Sequence, residues 1–573
     1  MNKLIQLVLV FSLILFNTHL YASHIPGGNI TYECIGPNTY VISLTIYENC
    51  GTAFETSDPA EVQISNNCGF HPSGNHSLPN IIFREEISQL CGPDLLSSEC
   101  NGGTLPGVYK HVWQDTLTLT GYCDSWIFSY SNCCRDLSSN LLSSTNNFYI
   151  ETILNSSTSN CNSSPIINAL PIPYYRVGNP VIHNLGVYEP DGDSLHYSLI
   201  NAKTSNTTTA SYQSGYSGVL PISGINLDGY TGEITFTPTI IGNFVVTILI
   251  EEFNSNGDLV GSIIHDFQFE IINNAGSPNT NPSPPSSGIT NLQGYGISTG
   301  SSSLTLCEGK SACFDIEFTD DVGDSIFINS NIGDYFPSAT LTQNTYLSPA
   351  SATLCFSAYP GSNPTSNISI TANDNACPIT GITSTIIEIT IIESTYAGAD
   401  TTICQGDSVQ LHSTSGTTFT WSVISGDPIN LGTNFSCINC SSPIAKPNTT
   451  TEYKVVSDLS GGCGNIDTVI VTVASNFSYL ISAADSTCMN TNVPFNISTS
   501  PVGNYSFDWQ PTTYLTNSQI SNPIFSKNTS GSIDYQVTIT NSQGCTKIDS
   551  LNINVLPANS PDLTFASINT NIF

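Results

Sequence analysis

The chain is short of positive charge. Its 573 residues include 11 lysines and arginines against 44 acidic residues, which gives a formal net charge of −33. Proteins that bind nucleic acid or anionic lipid need surface cations to neutralise phosphate groups. The composition therefore argues against both a nucleic-acid partner and an anionic-membrane partner.

Long apolar runs and helical periodicity are also scarce. Residues 4–16 form an apolar stretch with Lys3 before it and Leu20-Tyr-Ala22 after it, which is the pattern of a secretory signal peptide over 1–22. A membrane anchor or a buried helix is the alternative, but the run is too short to cross about 30 Å of hydrocarbon. We expect an exported chain with no transmembrane segment in its mature part.

Several familiar catalytic motifs are absent. The sequence contains no HExxH, GxGxxG or phosphate-binding P-loop pattern, and its histidines lack metal-ligand spacing. Paired carboxylates occur, but nothing in the sequence places two of them in one substrate groove, as a glycosidase needs. We therefore expect that the protein is not an enzyme.

What the chain does contain is short alternating runs of Thr, Ile, Val and Tyr, separated by Gly, Asn, Ser and Pro. Typical runs are 39–47, 233–238, 244–250 and 384–392. Alternation with a period of two indicates β-strands. The prediction is an all-β fold, in which tandem Ig-like and cadherin-like β-sandwich domains follow a cysteine-rich, β-rich N-terminal domain.

Two stretches near the end repeat one module. They share a Cys…Trp…Tyr…Cys frame, formed by Cys404, Trp421, Tyr453 and Cys463 and then by Cys488, Trp509, Tyr535 and Cys545. Both tryptophans fall where a sandwich places a core residue, which favours packing over stacking on a glycan.

Length and composition divide the chain into several domains. The predicted parts are the signal peptide 1–22, a cysteine-rich domain 23–165, a cadherin-like sandwich 166–275, a Pro/Ser-rich linker 276–288, a disulfide-bonded Ig-like sandwich 289–395, two Ig-like or PKD-like modules 396–475 and 476–556, and a linker or the start of a further module 557–573.

The 19 cysteines fit an oxidising compartment. Alignment of the repeats predicts the bridges Cys404–Cys463, Cys488–Cys545, Cys307–Cys377, Cys313–Cys355 and Cys437–Cys440. A redox CxxC at 437–440 and a zinc site made by the four cysteines of 404–463 are weaker alternatives. The segment 23–165 holds an odd number of cysteines, so at least one lacks a partner within that segment, and the adjacent Cys133 and Cys134 are poor partners for each other.

An ordered set of motifs resembles the N-terminal half of large secreted Bacteroidota proteins, which are called gliding-motility-associated or type IX-secreted proteins with PKD-like or Ig-like repeats. The motifs are Ser23-His-Ile-Pro-Gly-Gly-Asn-Ile-Thr-Tyr32, Leu44-Thr-Ile-Tyr-Glu-Asn-Cys50, Asn132-Cys-Cys-Arg-Asp136, Asn162-Ser-Ser-Pro165 and Glu189-Pro-Asp-Gly-Asp-Ser-Leu195. The resemblance implies an extracellular location and a partner in the export machinery. The chain departs from the family in carrying Glu48-Asn49-Cys50 where Arg-Asp-Cys is common, and in showing no C-terminal sorting domain.

Calcium is the cofactor that the acidic loops favour. Hard cations bind converging carboxylate oxygens, which Asp- and Gly-rich loops supply. The candidate ligands are Glu189, Asp191 and Asp193 in one domain and Asp320, Asp321, Asp324 and Asp374 in the next. The alternative is that these acids form turns through hydrogen bonds to their own backbone.

Together these features predict a secreted or cell-surface adhesion or scaffold protein, non-catalytic and associated with gliding motility. Its expected partner is an extracellular polysaccharide or a cell-surface protein. The alternative is a non-catalytic accessory region of a secreted polysaccharide-degrading enzyme. Trp113 and Trp126 in the N-terminal domain are less constrained by the pattern, and one of them is a candidate for surface exposure.

Overall fold

The computed structural model describes residues 25–50, 58–133, 135–142, 147–158, 161–169, 171–273, 279–284, 288–321, 323–359, 362–459 and 463–557. The predicted signal peptide 1–22 and all but the first residue of the predicted tail 557–573 lie outside these ranges. The chain divides into two compact units, Met1–Ile392 and Glu393–Phe573. This division falls close to the boundary predicted at 395. Among the described residues, no helix has the length and apolar character needed to span a membrane.

The described part of the first unit is built of strands, with two short 3-10 turns and one helical turn. The strands are β1 Gly27–Gly36, β2 Thr39–Asn49, β3 Ala60–Asn66, β4 Gly74–Leu78, β5 Asn80–Glu86, β6 Val108–Thr118, β7 Trp126–Asn132, β8 Phe148–Leu154, β9 Ile166–Ile167, β10 Tyr174–Arg176, β11 Val181–Asn184, β12 Val187–Tyr188, β13 Ser194–Leu199, β14 Asn226–Leu227, β15 Glu233–Phe236, β16 Gly242–Phe253, β17 Leu259–Ile272, β18 Thr290–Gly294, β19 Ile297–Gly300, β20 Ser303–Cys307, β21 Ser311–Phe318, β22 Phe327–Ser330, β23 Thr340–Thr345, β24 Ala350–Ser357, β25 Thr365–Asn373 and β26 Ile382–Ile392. The helical segments are Gly92–Ser97, Glu99–Asn101 and Ile332–Tyr335.

The predicted boundary at 165 does not separate two sheets. A 12-stranded sheet runs β4-β3-β7-β8-β17-β1-β2-β6-β5, with β10, β13 and β16 attached at β17 and β16. Strand β17 pairs with β1 and β8 on one side of the predicted boundary and with β16 on the other. The 14-residue length of β17 allows this, because different parts of one strand meet different neighbours. Described strands from both sides of residue 165 therefore share one sheet, while β11, β15 and β14 and the pair β12 and β9 form two smaller sheets.

The part from 288 to 392 is a sandwich of two sheets, with orders β18-β21-β24-β23 and β19-β20-β26-β25-β22. Aromatic and aliphatic side chains of both inner faces fill its core, among them Phe314, Phe356 and Ile389. Buried residues alternate with more exposed ones along β21 and β24. This alternation is what the packing of two sheets face to face requires.

The predicted linker 276–288 is fixed where it is described. Asn279 and Asn281 are buried, and their side-chain amides donate to the Asp374 carboxylate at 2.7 Å and to the carbonyl of Pro180 at 3.0 Å. Hydrogen bonds to both neighbouring segments hold these residues, so the described part of the linker is an ordered connection.

The second unit contains the two predicted repeat modules. Its strands are β27 Thr401–Cys404, β28 Val409–Gln410, β29 Phe419–Ser425, β30 Ile444–Ala445, β31 Thr451–Ser457, β32 Ile466–Ala474, β33 Ser478–Ser482, β34 Ser486–Cys488, β35 Val493–Pro494, β36 Asn496–Ser500, β37 Tyr505–Gln510, β38 Ile524–Phe525, β39 Gly531–Asn541 and β40 Thr546–Leu556. The orders β27-β32-β31-β29 and β34-β40-β39-β37 are the same arrangement built twice.

All four tryptophans are buried. Trp421 and Trp509 lie in the cores of the two modules, as predicted, and their indole nitrogens donate to the carbonyls of Cys440 at 2.9 Å and Ile520 at 3.1 Å. Trp113 and Trp126 are also buried, so the idea that one of them is exposed is wrong. Both pack in the core of the large sheet, where their apolar area is removed from water.

Two predicted disulfides are present and three are wrong. The structure contains Cys313–Cys355 and Cys437–Cys440. The predicted pairs Cys404–Cys463, Cys488–Cys545 and Cys307–Cys377 do not form. Instead, Cys404 bonds to Cys545, Cys377 bonds to Cys91, and Cys488 is a free thiol.

One geometric cause explains all three errors. The strand that ends in Cys307, Cys404 or Cys488 runs parallel to the last strand of its own module, and the cysteine sits beside that strand's final residue. The predicted partner precedes the first residue of the same last strand. A strand rises about 3.3 Å per residue, so roughly 30 Å separates the two cysteines, far beyond disulfide reach.

The remaining described bridges explain the odd cysteine count of the N-terminal segment. Cys34–Cys161, Cys50–Cys100 and Cys68–Cys123 lie within 23–165, whereas Cys91 crosses to Cys377. Cys133, Cys307 and Cys463 are also disulfide-bonded, and Cys134 lies outside the described residues.

Candidate functional site

Three acidic side chains meet inside the first unit. Glu189 and Asp191 lie in the loop after β12, and Glu252 lies near the end of β16. One carboxylate oxygen from each lies within 4.8 Å of the other two. These three residues are called the acid cluster below.

The backbone around Glu189 is a tight acidic turn. The two Glu189 carboxylate oxygens accept hydrogen bonds from the backbone N–H groups of Asp191 at 3.0 Å and Asp193 at 2.7 Å. The Asp191 carboxylate accepts from the N–H of Ser163 at 2.5 Å. The turn former predicted from Asp-Gly-Asp is therefore real, and the same turn aims two carboxylates at a third.

Glu252 is the unexpected member of the acid cluster. In β16 it continues the face of Val246, Ile248 and Ile250, all of which are fully buried, and it is itself 0% exposed. Alternation along a strand puts every second side chain on one face. The sequence did contain a signal for this residue, namely an acid on the apolar face of a strand. The prediction did not use that signal, so Glu252 was missed.

The Glu252 carboxylate has no ordinary hydrogen bond. Both of its oxygens are buried without a donor in the described part of the chain. Burial, followed by the negative charge of Glu189, raises the Glu252 pKa well above its usual value. Burial likewise raises the pKa of Glu189 to about 7. The arrangement thus brings three acidic side chains together; Glu189 and Asp191 accept backbone N–H groups, whereas neither Glu252 oxygen has a donor among the described residues.

Two of the sequence motifs contribute residues to the wall around the acid cluster. Tyr32 ends the first motif, Asn162 begins the Asn-Ser-Ser-Pro motif, and the Asn162 amide lies 3.4 Å from the Tyr32 hydroxyl. Gly261 of β17 lies against the same space and lacks a side chain. A Cβ there would lie 2.3 Å from the Tyr32 hydroxyl and 2.4 Å from a Glu252 oxygen. Segments far apart in sequence therefore enclose one small acidic space.

The donor set of the acid cluster fits a hard divalent cation. Calcium prefers carboxylate and carbonyl oxygens, and a cation among buried carboxylates removes the cost of holding them ionised. Of the three predicted ligands in this loop, Glu189 and Asp191 belong to the acid cluster. Asp193 is not among the oxygens within 4.8 Å; it contributes its backbone N–H and lines the neighbouring cleft.

The second predicted set of acids is only partly assembled. Asp320, Asp321 and Asp324 place oxygens within 4.8 Å of one another, and burial raises the pKa of Asp320 to about 6. Thr280 donates to both Asp320 and Asp321, at 2.9 and 3.2 Å. This group is more exposed than the acid cluster and is partly satisfied by protein donors.

Asp374 is not part of that second set. Its carboxylate accepts hydrogen bonds from the backbone N–H groups of Ala376 at 2.9 Å and Gly381 at 2.8 Å, and from the Asn279 amide at 2.7 Å. The oxygens that lie within 4.8 Å of one another in the second set are those of Asp320, Asp321 and Asp324, so the prediction that Asp374 joins them is wrong. The three hydrogen bonds of Asp374 fix the loop before β26.

A cleft of about 440 Å³ opens beside the acid cluster. Glu189 and Asp193 form one wall, Tyr230 and Tyr335 contribute aromatic rings, and Asn363 lies opposite. Tyr230 is 78% exposed, which is unusual for so large a ring. We call this space the tyrosine cleft.

Comparisons with known proteins give limited likeness. No family model matches the chain. Integrin beta-like protein A of Dictyostelium discoideum is 25% identical over 224 residues, which cover 38% of this chain and 10% of that protein. The chain thus matches about a tenth of that relative's length.

Several solved structures of tandem β domains also match. Sidekick-1 immunoglobulin domains 1–4 give a TM-score of 0.19 at 11% identity, covering 69% of this chain and 99% of that one. Zebrafish RET cadherin-like domains 1–4 give 0.18 at 9% identity, with coverage of 68% and 100%. The N-terminal Ig module of the Drosophila receptor tyrosine phosphatase DLAR gives 0.14 at 14% identity, with coverage of 34% and 99%. At these scores the matches carry no argument about function.

Proposed function

We propose that the protein is an extracellular adhesion or scaffold protein without catalytic activity. The covalent bridges between successive β modules carry this proposal: Cys91–Cys377 closes 286 residues of the first unit, and Cys404–Cys545 joins the two repeat modules. Such bridges persist only in an oxidising environment outside the cytosol. They tie neighbouring modules together, which suits a protein that transmits or resists force.

A cation in the acid cluster is the second part of the proposal. Glu252 is fully buried, no described residue donates a hydrogen bond to it, and oxygens of Glu189 and Asp191 lie within 4.8 Å of one of its oxygens. Calcium bound by these three residues would neutralise the charge and hold together the loops at Asn162 and Glu189 with strands β16 and β17. Calcium would thereby stiffen the first unit.

The tyrosine cleft is the proposed ligand-binding face. The exposed ring of Tyr230, beside carboxylate and amide groups, suits the apolar faces and hydroxyl groups of sugars. Glu189 belongs to both the acid cluster and the cleft wall, so bound calcium would also fix one side of the cleft. We propose an extracellular polysaccharide as the ligand, with a cell-surface protein as the other outcome of the test.

Binding of purified full-length protein to a polysaccharide array, in calcium and again in EDTA, tests this proposal. Retention on one polysaccharide class in calcium, weakened by Tyr230→Ala and unchanged by Tyr295→Ala, supports the cleft; Tyr295 is a 60% exposed tyrosine outside it. Recovery of the bound polysaccharide uncleaved supports a non-catalytic role. Equal binding by both variants would overturn the cleft assignment.

Calorimetry tests the cation separately. For the wild type we expect calcium to raise the melting temperature of the first unit, because a ligand that binds only the native state stabilises it, by about 2.7 kcal/mol at 100 times its Kd. Glu252→Gln should abolish this gain without lowering the melting temperature in EDTA, since it replaces a buried acid with a raised pKa by a neutral side chain of similar size. Glu61→Gln, on an exposed position of β3, should keep the gain. A full calcium gain in Glu252→Gln would refute the site.

Export by a type IX pathway and an association with gliding motility complete the proposal. They rest on the ordered motifs alone, several of which have structural roles here. Arg135 of the Cys-Cys-Arg-Asp motif forms a buried ion pair with Asp266, and Asn49 donates to Asp136 at 2.5 Å. Loss of the protein from the medium when the type IX machinery is deleted would support the export route, and undiminished secretion would exclude it.

A further inference from the structure

The free thiol of Cys488 occupies the same place in its module as a cysteine that forms a disulfide. Cys404 and Cys488 are the last residues of β27 and β34, and each pairs in parallel register with the last residue of its module, Ala474 or Leu556. Among the cysteines whose state is described, Cys488 is the free one.

The turns that follow the two cysteines are also the same. The carbonyls of Cys404 and Cys488 accept hydrogen bonds from the N–H groups three residues on, Asp407 at 2.9 Å and Thr491 at 3.2 Å. The second residue after each cysteine has a positive φ, +99° at Gly406 and +60° at Asn490. The backbone therefore presents the two sulfur atoms in equivalent ways.

What Cys404 does is an observation independent of Cys488. Its sulfur bonds to Cys545, the residue before the last strand of the next module, with the two Cα atoms 5.7 Å apart. Cys404 and Ala474 also pack against the core of that next module. The following module therefore packs against the end of the module where the first and last strands finish, at Cys404 and Ala474. We call this contact surface the seat, and the cysteine in it is the covalent attachment point.

We propose that Cys488 is the attachment point for a further β-sandwich module, and that it bonds to the cysteine that precedes the last strand of that module. The seat beside it is formed by Leu556, which is half-buried where its counterpart Ala474 is fully buried by the next module. Bond formation requires an oxidant. With glutathione disulfide, two thiols become one disulfide and the two electrons and two protons leave as two molecules of glutathione.

A duplicated chain tests the proposal. A second copy of residues 475–573, placed directly after Leu556, puts a new module at the spacing with which residue 475 follows Ala474. Thr546→Ser and Cys488→Ser changes mark the copy, so that Cys488 of the original module is the single Cys488 thiol of the duplicate. After oxidation with glutathione disulfide, peptide mapping should find Cys488 of the original module bonded to the marked Cys545 peptide. Alkylation of Cys488 should fall about tenfold relative to the parent chain, as expected for a thiol consumed by exchange. Undiminished alkylation in the folded duplicate would overturn the proposal.

The parent chain supplies a second test that does not depend on folding of the duplicate. In Cys404→Ser, Cys545 loses its partner, and both Cys488 and Cys545 should remain thiols because they lie at opposite ends of β40. A Cys488–Cys545 bond in this variant would show that Cys488 serves its own module and would refute the proposal. In the duplicate, Cys488→Ser in the original module should leave the marked cysteine reactive.

Discussion

At the scale of single residues, the most informative side chain is Glu252. A carboxylate that is fully buried without a donor costs free energy unless it takes up a proton or meets a cation. Gly261 makes room for it, because any larger residue would contact Glu252 and Tyr32 at once. The acid cluster therefore depends on one position without a side chain.

We expect Gly261→Ala to lower the free energy of unfolding of the first unit by about 1–3 kcal/mol, the usual result of overpacking. It should also abolish the calcium-dependent rise in melting temperature, since its methyl group displaces the Glu252 carboxylate. Gly333→Ala is the matched control, because a Cβ there meets nothing within 4 Å. Denaturant unfolding in calcium and in EDTA measures both effects, and a normal calcium response in Gly261→Ala would contradict the assignment.

Glu270 in β17 gives a prediction about pH. Its burial, with the nearby charges of Asp136 and Glu99, raises its pKa to about 7. A carboxyl group with a raised pKa contributes stability that is complete below its ordinary pKa and is lost as the pH rises through 7. Between pH 5 and pH 8 the wild type should therefore lose more stability than Glu270→Gln. Melting temperatures measured in EDTA at both pH values check this, and parallel losses would show that Glu270 does not contribute.

At the scale of elements, the two repeat modules share one arrangement of strands around one tryptophan. Trp421 and Trp509 are buried. Trp421 donates to a carbonyl in the segment between β29 and β31, and Trp509 donates to a carbonyl in the segment between β37 and β39. Tyr535 adds a hydrogen bond from its hydroxyl to the carbonyl of Thr513 at 2.6 Å. Each core thus fixes a long loop as well as two sheets.

Trp509→Ala should lower the stability of the second repeat module by about 3–5 kcal/mol, because it leaves a large cavity and an unpaired carbonyl. Circular dichroism during guanidinium unfolding measures the loss. Val502→Ala, at a position that is 97% exposed, should change stability by less than about 0.5 kcal/mol. Similar small losses in both variants would mean that the tryptophan does not hold the module together.

At the scale of the whole molecule, two of the seven disulfides whose partners are both described join separate modules, Cys91–Cys377 and Cys404–Cys545. Cys91–Cys377 spans 286 residues, whereas Cys437–Cys440 spans three. In the chain-entropy account, a bridge that closes a long loop restricts the unfolded chain more than a short one does. The long bridges should therefore dominate the covalent contribution to stability.

The double variant Cys91→Ser/Cys377→Ser should lose roughly 3–5 kcal/mol of unfolding free energy in the first unit. The double variant Cys437→Ser/Cys440→Ser should lose much less, which makes it the matched control. Limited proteolysis and denaturant unfolding of both full-length variants measure the difference. Equal losses would argue against the bridge as a long-range brace.

The sequence by itself determined what depends on near neighbours along the chain. Period-2 alternation set the all-β fold, the repeat frame placed Trp421 and Trp509 in their cores, and the Asp-Gly-Asp turn placed Glu189 and Asp191. Glu252 was within reach of the same reasoning, as an acid on the apolar face of β16. These features follow from local geometry, which is the same wherever the strand ends up.

Only the tertiary structure decided which distant segments meet. The pairing of Cys404 with Cys545, the merging of residues on both sides of 165 into one sheet, and the meeting of Asn162 with Glu252 all depend on which strands lie side by side. The first and last strands of a module pair in parallel. The cysteine that ends the first strand therefore lies beside the C-terminal end of the last strand, whereas its predicted partner lies just before the N-terminal end of that strand. Spacing in the sequence carries no record of that direction, because strand pairing is set by the burial of whole faces and not by any single residue.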